Sequence, residues 1–280
     1  MGCVVWGRAA CVGEERAKRL TTTARNPPPP PLDPGAFAEY ITCEPFNVKV
    51  LPPHFPKLEI SLIEILPGVI HAAELGKITP HTDVIITGQG VSGLVITQVI
   101  KQFSPRSLVV TDLKDANLAL AKKYGATHVY KIPHEHAATM DVVRKDFPGG
   151  FEVVVPCLLD GDMMSDALDL LAIGGRIVAY GCIGPCKNFD FFKAHRKRAE
   201  IYLTEPRRDV DMRRYFQEGV EMVLDGIVNT SEMITHIYPL ERVQEAFQLR
   251  NDKSAGNEAI HVLIDVMPSA DGSVKPIVRL

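Results

Sequence analysis

Nowhere does this sequence hold the roughly eighteen consecutive apolar residues that a membrane-spanning helix needs, so no membrane is expected among its partners. The segment Met1–Arg25 also lacks the uninterrupted apolar stretch of a secretory signal. Charge of neither sign is in excess. The 31 Lys and Arg stand against 34 Asp and Glu, a net charge of −3, and that balance points away from nucleic acid. Cysteine is sparse: Cys3, Cys11, Cys43, Cys157, Cys182 and Cys186 form no Cys-x-x-Cys and no disulfide framework. That usage suits a cytoplasmic, reducing location. Cys182 and Cys186, four apart, are a poor zinc signature and read as small apolar residues. What the chain does have is a core. At 280 residues and 46% hydrophobic content it can fold as one large domain or two smaller ones.

The stretch from Asp83 to Lys101 organises the rest. Val84 to Thr87 reads as a buried strand, followed by a glycine-rich turn and a helix reaching about Phe103. Gly88, Gly90 and Gly93 fit G-x-G-x-x-G, with Gln89, Val91 and Ser92 between them. Gly88 permits the tight turn, Gly90 admits a pyrophosphate to the backbone, and Gly93 brings the helix close to the strand. The helix N-terminus then points free N–H groups at an anion. A second apolar strand, Ser107 to Thr111, ends at Asp112, nineteen residues past Gly93. A carboxylate at that spacing accepts hydrogen bonds from an adenosine ribose.

Along the chain, residues 1–34 read as a disordered, proline-rich segment, with the run Pro27–Pro31 extended and solvated. Ala36–Thr42 and Val48–Leu51 alternate as strands. Leu58–Leu75 has helical spacing interrupted at Pro67-Gly68, which predicts two helices or one broken helix. Beyond Asp112, helices are expected over Asp115–Tyr124 (closed by Gly125), Ala137–Phe147 and Asp162–Ala172 (capped by Gly174-Gly175). They alternate with strands over Thr127–Lys131, Phe151–Val155 and Arg176–Gly181. That alternation predicts an α/β, doubly wound parallel sheet buried on both faces. The loops at Gly88, Asp112, Pro156 and Gly181 should then line one crevice beyond the carboxyl ends of the strands. The remainder reads as a strand Ile201–Thr204, a long helix Asp209–Leu224, a strand Ile234–Leu240, a short helix Glu241–Leu249 and a final strand His261–Asp265. The cations Lys193, Arg196, Lys197, Arg198, Arg207, Arg208, Arg213 and Arg214 read as solvated helix faces.

Several of these segments resemble the zinc-type medium-chain alcohol and polyol dehydrogenases. Gly35-Ala-Phe-Ala-Glu-Tyr40 and Asn47-Val-Lys-Val-Leu-Pro52 are similar to the later part of that family's catalytic domain. Glu64-Ile-Leu-Pro-Gly-Val-Ile-His-Ala72 resembles the Glu-Pro-Leu-Ala-Val-x-x-His-Ala segment of its sorbitol and threonine branch. Gly88–Gly93, Ala121–Ala126, Gly174-Gly-Arg176 and Ile234–Leu240 fall in the family's order.

The resemblance implies a Rossmann NAD-binding domain at 76–222, a truncated GroES-like, β-rich catalytic domain from 35–75 and 223–266, and a flexible tail at 267–280. It implies an oxidoreductase that moves hydride between a secondary alcohol and its ketone, with NAD held by Gly88, Gln89, Gly90, Val91, Ser92, Gly93, Asp112 and Gly181. A homo-oligomer is implied by the edge strand matching Ile201–Thr204. The family's zinc polarises the alcohol oxygen. Its first-ligand cysteine and the following Gly-His-Glu have no counterpart here, and neither has the four-cysteine lobe. Glu64 is the one metal-ligand candidate left, so little bound zinc is expected and the catalytic residues stay unassigned. Asn117 stands where the sorbitol branch often has an arginine, five residues past the ribose-binding acid, and one adenine-side contact is expected to be lost. His71 reads as packing. Two alternatives accompany the dehydrogenase: a protein that binds dinucleotide without catalysis, and a zinc-free NADPH-dependent reductase, against which Asp112 argues.

Overall fold

Val84–Ile86, Leu108–Val110 and Val153–Val155 are short, β-branched runs that are apolar on every residue, so neither side can face water. In a computed structural model these nine side chains are each no more than 1% exposed. Each contributes about 1.5–3 kcal/mol by its burial. The structure describes residues 3–5, 37, 48–51, 55, 58–132, 136–157, 163–180, 186, 188–204, 211–252, 254, 257–266 and 275–276.

The first elements are β1 (Cys3–Val5), β2 (Val48–Val50), a 3-10 turn over Glu59–Ile65 and α1 (Leu66–Gly76). Then come β3 (Asp83–Thr87), α2 (Val91–Lys101), β4 (Ser107–Asp112), α3 (Asp115–Lys123), β5 (His128–Lys131) and α4 (His136–Asp146). The alternation continues through β6 (Phe151–Pro156), α5 (Met163–Leu170), β7 (Leu171–Ala179), α6 (Phe191–Lys197) and β8 (Glu200–Leu203). Last are α7 (Asp211–Leu224), β9 (Ile234–Pro239), α8 (Val243–Asn251), β10 (His261–Asp265) and β11 (Lys275–Pro276).

Six strands form one sheet in the order β5-β4-β3-β6-β7-β8, every neighbouring pair parallel. This is the doubly wound architecture expected, with the order reversing between β3 and β6. Alternate residues feed opposite cores. Val84 and Ile86 join a large cluster with α1, α2 and α7, while Ile85 joins a smaller one with Val143, Met164 and Leu168. The helix α7 returns to the start of the domain and lies on α1. A β-carbon at Gly219 would come within 2.7 Å of the Leu66 side chain, so the crossing is as close as two helices allow. Arg214 spans the same crossing, pairing with Glu74 and lying 4.2 Å over the Tyr215 ring. Both charges are half exposed, so this ion pair contributes less than the burial of Phe216 and Val220 beside it.

Two helical segments meet at Pro67, as expected: the 3-10 helix Glu59–Ile65 widens into α1 at Leu66, and Pro67 occupies the first turn of α1, where its missing N–H has no intrahelical partner to lose. Two sequence expectations change. Gly174-Gly175 does not cap a helix. The strand β7 starts at Leu171 and carries both glycines, with its register against β6 slipping from Phe151↔Leu171 to Val153↔Arg176. A β-carbon at Gly175 would stand 3.0 Å from the Phe151 carbonyl, so glycine serves an irregularity inside the strand. Finally, Cys3–Val5 pairs antiparallel with Val48–Val50, and Lys275–Pro276 pairs antiparallel with β9, inside segments read as a disordered N-terminus and a flexible tail. Apart from Phe37, the expected strand Ala36–Thr42 lies outside the described residues, as do the rest of 1–34 and 267–280.

In the small sheet β10-β9-β11, His261 Nε2 and His236 Nδ1 are buried and make no hydrogen bond. Burial, reinforced by the charge of Arg250, holds the His261 imidazole down at about 4. Its folded pKa therefore lies below the ordinary value of about 6.5, so the neutral ring's contribution is complete above about pH 6.5 and is lost as pH falls towards 4. The expected loss is up to about 3 kcal/mol. Denaturant unfolding measured from pH 7.5 to 4 should show this decline, and His261→Gln should flatten it. An unchanged slope in the variant would refute the assignment.

Candidate functional site

At the carboxyl end of β3 the chain must reverse into α2 within three residues, and glycine makes that possible. Gly88 adopts φ 91°, and its N–H donates to the Thr111 carbonyl at 2.9 Å, extending the ladder towards β4. Gly93 permits the close approach of α2. A β-carbon there would lie 2.0 Å from the Gly88 carbonyl oxygen. Gly90 is different: it is extended and exposed, and nothing stands within 4 Å of where its β-carbon would be. Beyond Gly90 is open space at a helix N-terminus that no side chain caps, with unpaired N–H groups and the positive end of the helix dipole.

Gln89 plays a part that spacing does not show. Its side chain is fully buried, donating to the Gly88 carbonyl at 3.2 Å and accepting from the Thr97 hydroxyl at 2.9 Å. It braces the turn from inside, and only its backbone faces the site. That backbone N–H donates to Asp112 Oδ2 at 2.6 Å. Asp112 Oδ1 accepts from the Lys114 N–H at 2.8 Å and from Asn117 Nδ2 at 3.1 Å. The ammonium of Lys114 is turned away and donates to the Asn257 carbonyl. Asn257 is itself buried and held by the chain around it: its Nδ2 donates to the carbonyls of Leu249 and Asp252. Lys114 thus ties Asn257, after α8, to the Asp112 end of the site.

The other end gathers Ser92 and Glu64 with two residues the sequence did not assign to the site, Tyr180 and Cys157. Tyr180, the residue after β7, shares a side-chain hydrogen bond with Ser92. Its ring lies 3.5 Å from where a β-carbon at Gly68 would be, under α1. Burial pushes its hydroxyl well above the usual range, helped by the neighbouring Cys157 and Glu64. Cys157 follows β6 and keeps part of its surface open, but its sulfur is enclosed and burial pushes the thiol far up. It is protonated and unreactive. Glu64 likewise keeps an exposed surface while the protein around its carboxyl raises its pKa. The available signal for Tyr180 and Cys157 was their place just past strand ends facing the crevice. Gly181 lies outside the described residues.

The described residues do not fit a zinc site. Among the described residues no three of His, Cys, Asp and Glu come together, and Glu64 is a single donor where stable catalytic sites use three. No chemical step is therefore routed through zinc. His71 sits between α1 and α7, its Nδ1 3.0 Å from the Thr204 carbonyl and its ring 5.6 Å from that of Tyr215, which is a packing contact. Of the cations expected on solvated faces, Lys193 pairs with Asp169, Lys197 donates to the Leu171 carbonyl and Arg214 pairs with Glu74. Arg207 and Arg208 lie outside the described residues.

Comparison with known proteins places this geometry. Residues 92–227 match the zinc-binding dehydrogenase domain. The sorbitol dehydrogenase of Bacillus subtilis (strain 168) is 30% identical over 227 residues, covering 78% of this chain and 60% of the relative. A putative zinc-binding dehydrogenase of Sinorhizobium meliloti 1021, solved with NADP, superposes with a TM-score of 0.69 at 21% identity, covering 82% of this chain and 66% of that one. An Escherichia coli CFT073 protein described as a short chain alcohol dehydrogenase, solved with NADH, superposes with a TM-score of 0.65 at 20% identity, covering 75% and 61%. These two likenesses establish the fold. The chain spans about 60% of the length of the sorbitol dehydrogenase it matches.

The two glycines of the turn should respond differently to a methyl group. Gly93→Ala drives its β-carbon into the Gly88 carbonyl and is expected to cost about 3 kcal/mol or more of unfolding free energy. Gly90→Ala meets nothing and should leave stability within about 1 kcal/mol. Urea denaturation of both variants checks this, and equal losses would contradict it.

Proposed function

Over residues 92–227 the chain belongs to the zinc-type medium-chain dehydrogenase/reductase family, and on that premise we propose that it binds NAD and moves hydride between a secondary alcohol and its ketone. The observation that carries the cofactor choice is the Asp112 carboxylate, anchored by Gln89, Lys114 and Asn117 at the end of β4. The residues fit a dinucleotide. The open space at Gly90 and the uncapped N–H groups of Val91, Ser92 and Gly93 would take the pyrophosphate. Oδ2 of Asp112 accepts one hydrogen bond from the chain and keeps capacity for a ribose hydroxyl. A 2′-phosphate there would meet like charge, and Lys114 is committed to Asn257 instead of being free to offset it. When bound, the nicotinamide supplies the hydride acceptor. The chain's own part at that end is a half-buried hydroxyl pair, Ser92 and Tyr180, with the Tyr180 hydroxyl largely withdrawn from water.

The division into a nucleotide-binding unit at 76–222 and a truncated GroES-like unit from 35–75 and 223–266 belongs to the same proposal. So does self-association. The outer edge of β8 has no partner strand among the described residues, and Leu203 and Ile201 on it are 72% and 40% exposed. The second reading, dinucleotide binding without catalysis, is supported by the absence of three gathered metal donors among the described residues.

Titration of NADH and NADPH by cofactor fluorescence should give roughly a hundredfold preference for NADH, about 2.8 kcal/mol. Asp112→Ser should abolish the preference, and equal or tighter NADPH binding would overturn it. Adding ketones to the NADH complex then separates the two readings: oxidation marks the dehydrogenase, and retention of NADH marks the binding protein. Light scattering should give a dimer or larger at micromolar concentration, shifted towards monomer by Leu203→Lys; a soluble wild-type monomer would refute self-association.

A further inference from the structure

Asn117 is 7% exposed, and its two amide atoms are treated very differently by the fold. Nδ2 donates to Asp112 Oδ1 at 3.1 Å, while its own Oδ1 is buried and accepts nothing. A buried acceptor left without a donor costs about 1–3 kcal/mol. One neutral-to-charged hydrogen bond at the long end of the range returns about as much or less. Asn117 therefore has little net value to the fold, and a leucine of similar size would remove the orphaned oxygen at once.

Its value lies in what it does to Asp112. A carboxylate has about four lone-pair sites, two on each oxygen. Lys114 N–H and Asn117 Nδ2 together occupy both sites on Oδ1, and Gln89 N–H occupies one on Oδ2. A single site on Oδ2 is left. The backbone donors hold the carboxylate by one contact on each oxygen, and Asn117 adds a third that resists the Cα–Cβ rotation by which the side chain would carry its charge aside.

We propose that Asn117 is a positioning residue for cofactor discrimination, fixing the Asp112 carboxylate so that its one free lone pair meets a ribose hydroxyl and its charge cannot swing away from a 2′-phosphate. This rests on the NAD reading of the preceding section. Residue 117 thus acts through Asp112, and the adenine-side contact expected to be lost with arginine is replaced by an indirect one. Removal of Asn117 relaxes the exclusion of NADPH more than it weakens NADH, because a hydroxyl accepts any orientation that leaves an acceptor in reach, whereas like-charge repulsion is escaped by rotation.

The test is Asn117→Leu, with thermal unfolding and the dissociation constants of NADH and NADPH measured in parallel by fluorescence. The expected result is an unchanged or higher melting temperature, with the NADH-over-NADPH preference falling about tenfold. In the Asp112→Ser background the same substitution should change neither constant, since the group through which it acts is gone. A lower melting temperature with the preference intact would show a structural residue and overturn the proposal. An equal effect in both backgrounds would overturn it too, showing direct contact with the dinucleotide. Should the wild-type chain bind neither cofactor, the NAD reading falls and this inference falls with it. Should the wild type prefer NADH and Asn117→Leu keep that preference, only the inference fails.

Discussion

Helix α2 passes so close to the end of β3 at Gly93 that even a methyl group would sit 2.0 Å from the Gly88 carbonyl, and the arrangement of the site follows from that approach. With the helix drawn in, Gln89 has nowhere to go but inward, where it bonds Gly88 and Thr97. The inward turn of its side chain sets the direction of its backbone, which points the N–H at Asp112. The same geometry leaves Gly90 facing open space at an uncapped helix N-terminus. Steric closeness at one residue thus produces both an open, uncapped helix N-terminus and a carboxylate fixed beside it.

The crevice is completed from far along the chain. Gln98 and Asn229 exchange hydrogen bonds of 3.1 and 2.7 Å, tying α2 to the turn after α7. Lys114 reaches Asn257, and α7 packs on α1 through Gly219. These contacts are few and mostly polar. What gives them permanence is the apolar cluster beneath, in which Phe216, Val223, Val228, Ile234 and Ile260 join Leu66, Val84 and Leu94. Loss of one polar tie therefore shifts the position of a segment more than it threatens the fold.

The strands were legible because β3, β4 and β6 are buried on both faces and carry unbroken apolar runs, a pattern little disturbed by long-range context. Gly88, Gly93 and Asp112 were legible for a related reason, since their tasks are set by backbone geometry within about thirty residues. Pro67-Gly68 marked the junction of two helical segments, but Gly174-Gly175 misled. Paired glycines admit a strand irregularity as readily as a cap, and which occurs depends on what packs there, here the Phe151 carbonyl against Gly175. Tyr180, Cys157 and the role of Asn117 were hidden because each depends on a partner from another element.

The two ends of the crevice differ in electrostatic character, and the difference fits the chemistry proposed for them. At the Asp112 end, N–H groups converge on a carboxylate, an arrangement suited to reading polar hydroxyls. At the far end the shifts of Tyr180, Cys157 and Glu64 all run towards the protonated form, and burial is the leading cause of each. Desolvation of that kind disfavours new charge in the surrounding groups while leaving hydrogen bonds between neutral hydroxyls strong. Under the proposed hydride transfer, a polar grip at one end and half-buried neutral hydroxyls at the other serve different needs, because the handle must be recognised in detail while the reacting carbon is kept from water. The Tyr180 hydroxyl, its pKa raised chiefly by burial, stays a neutral hydrogen-bond donor there.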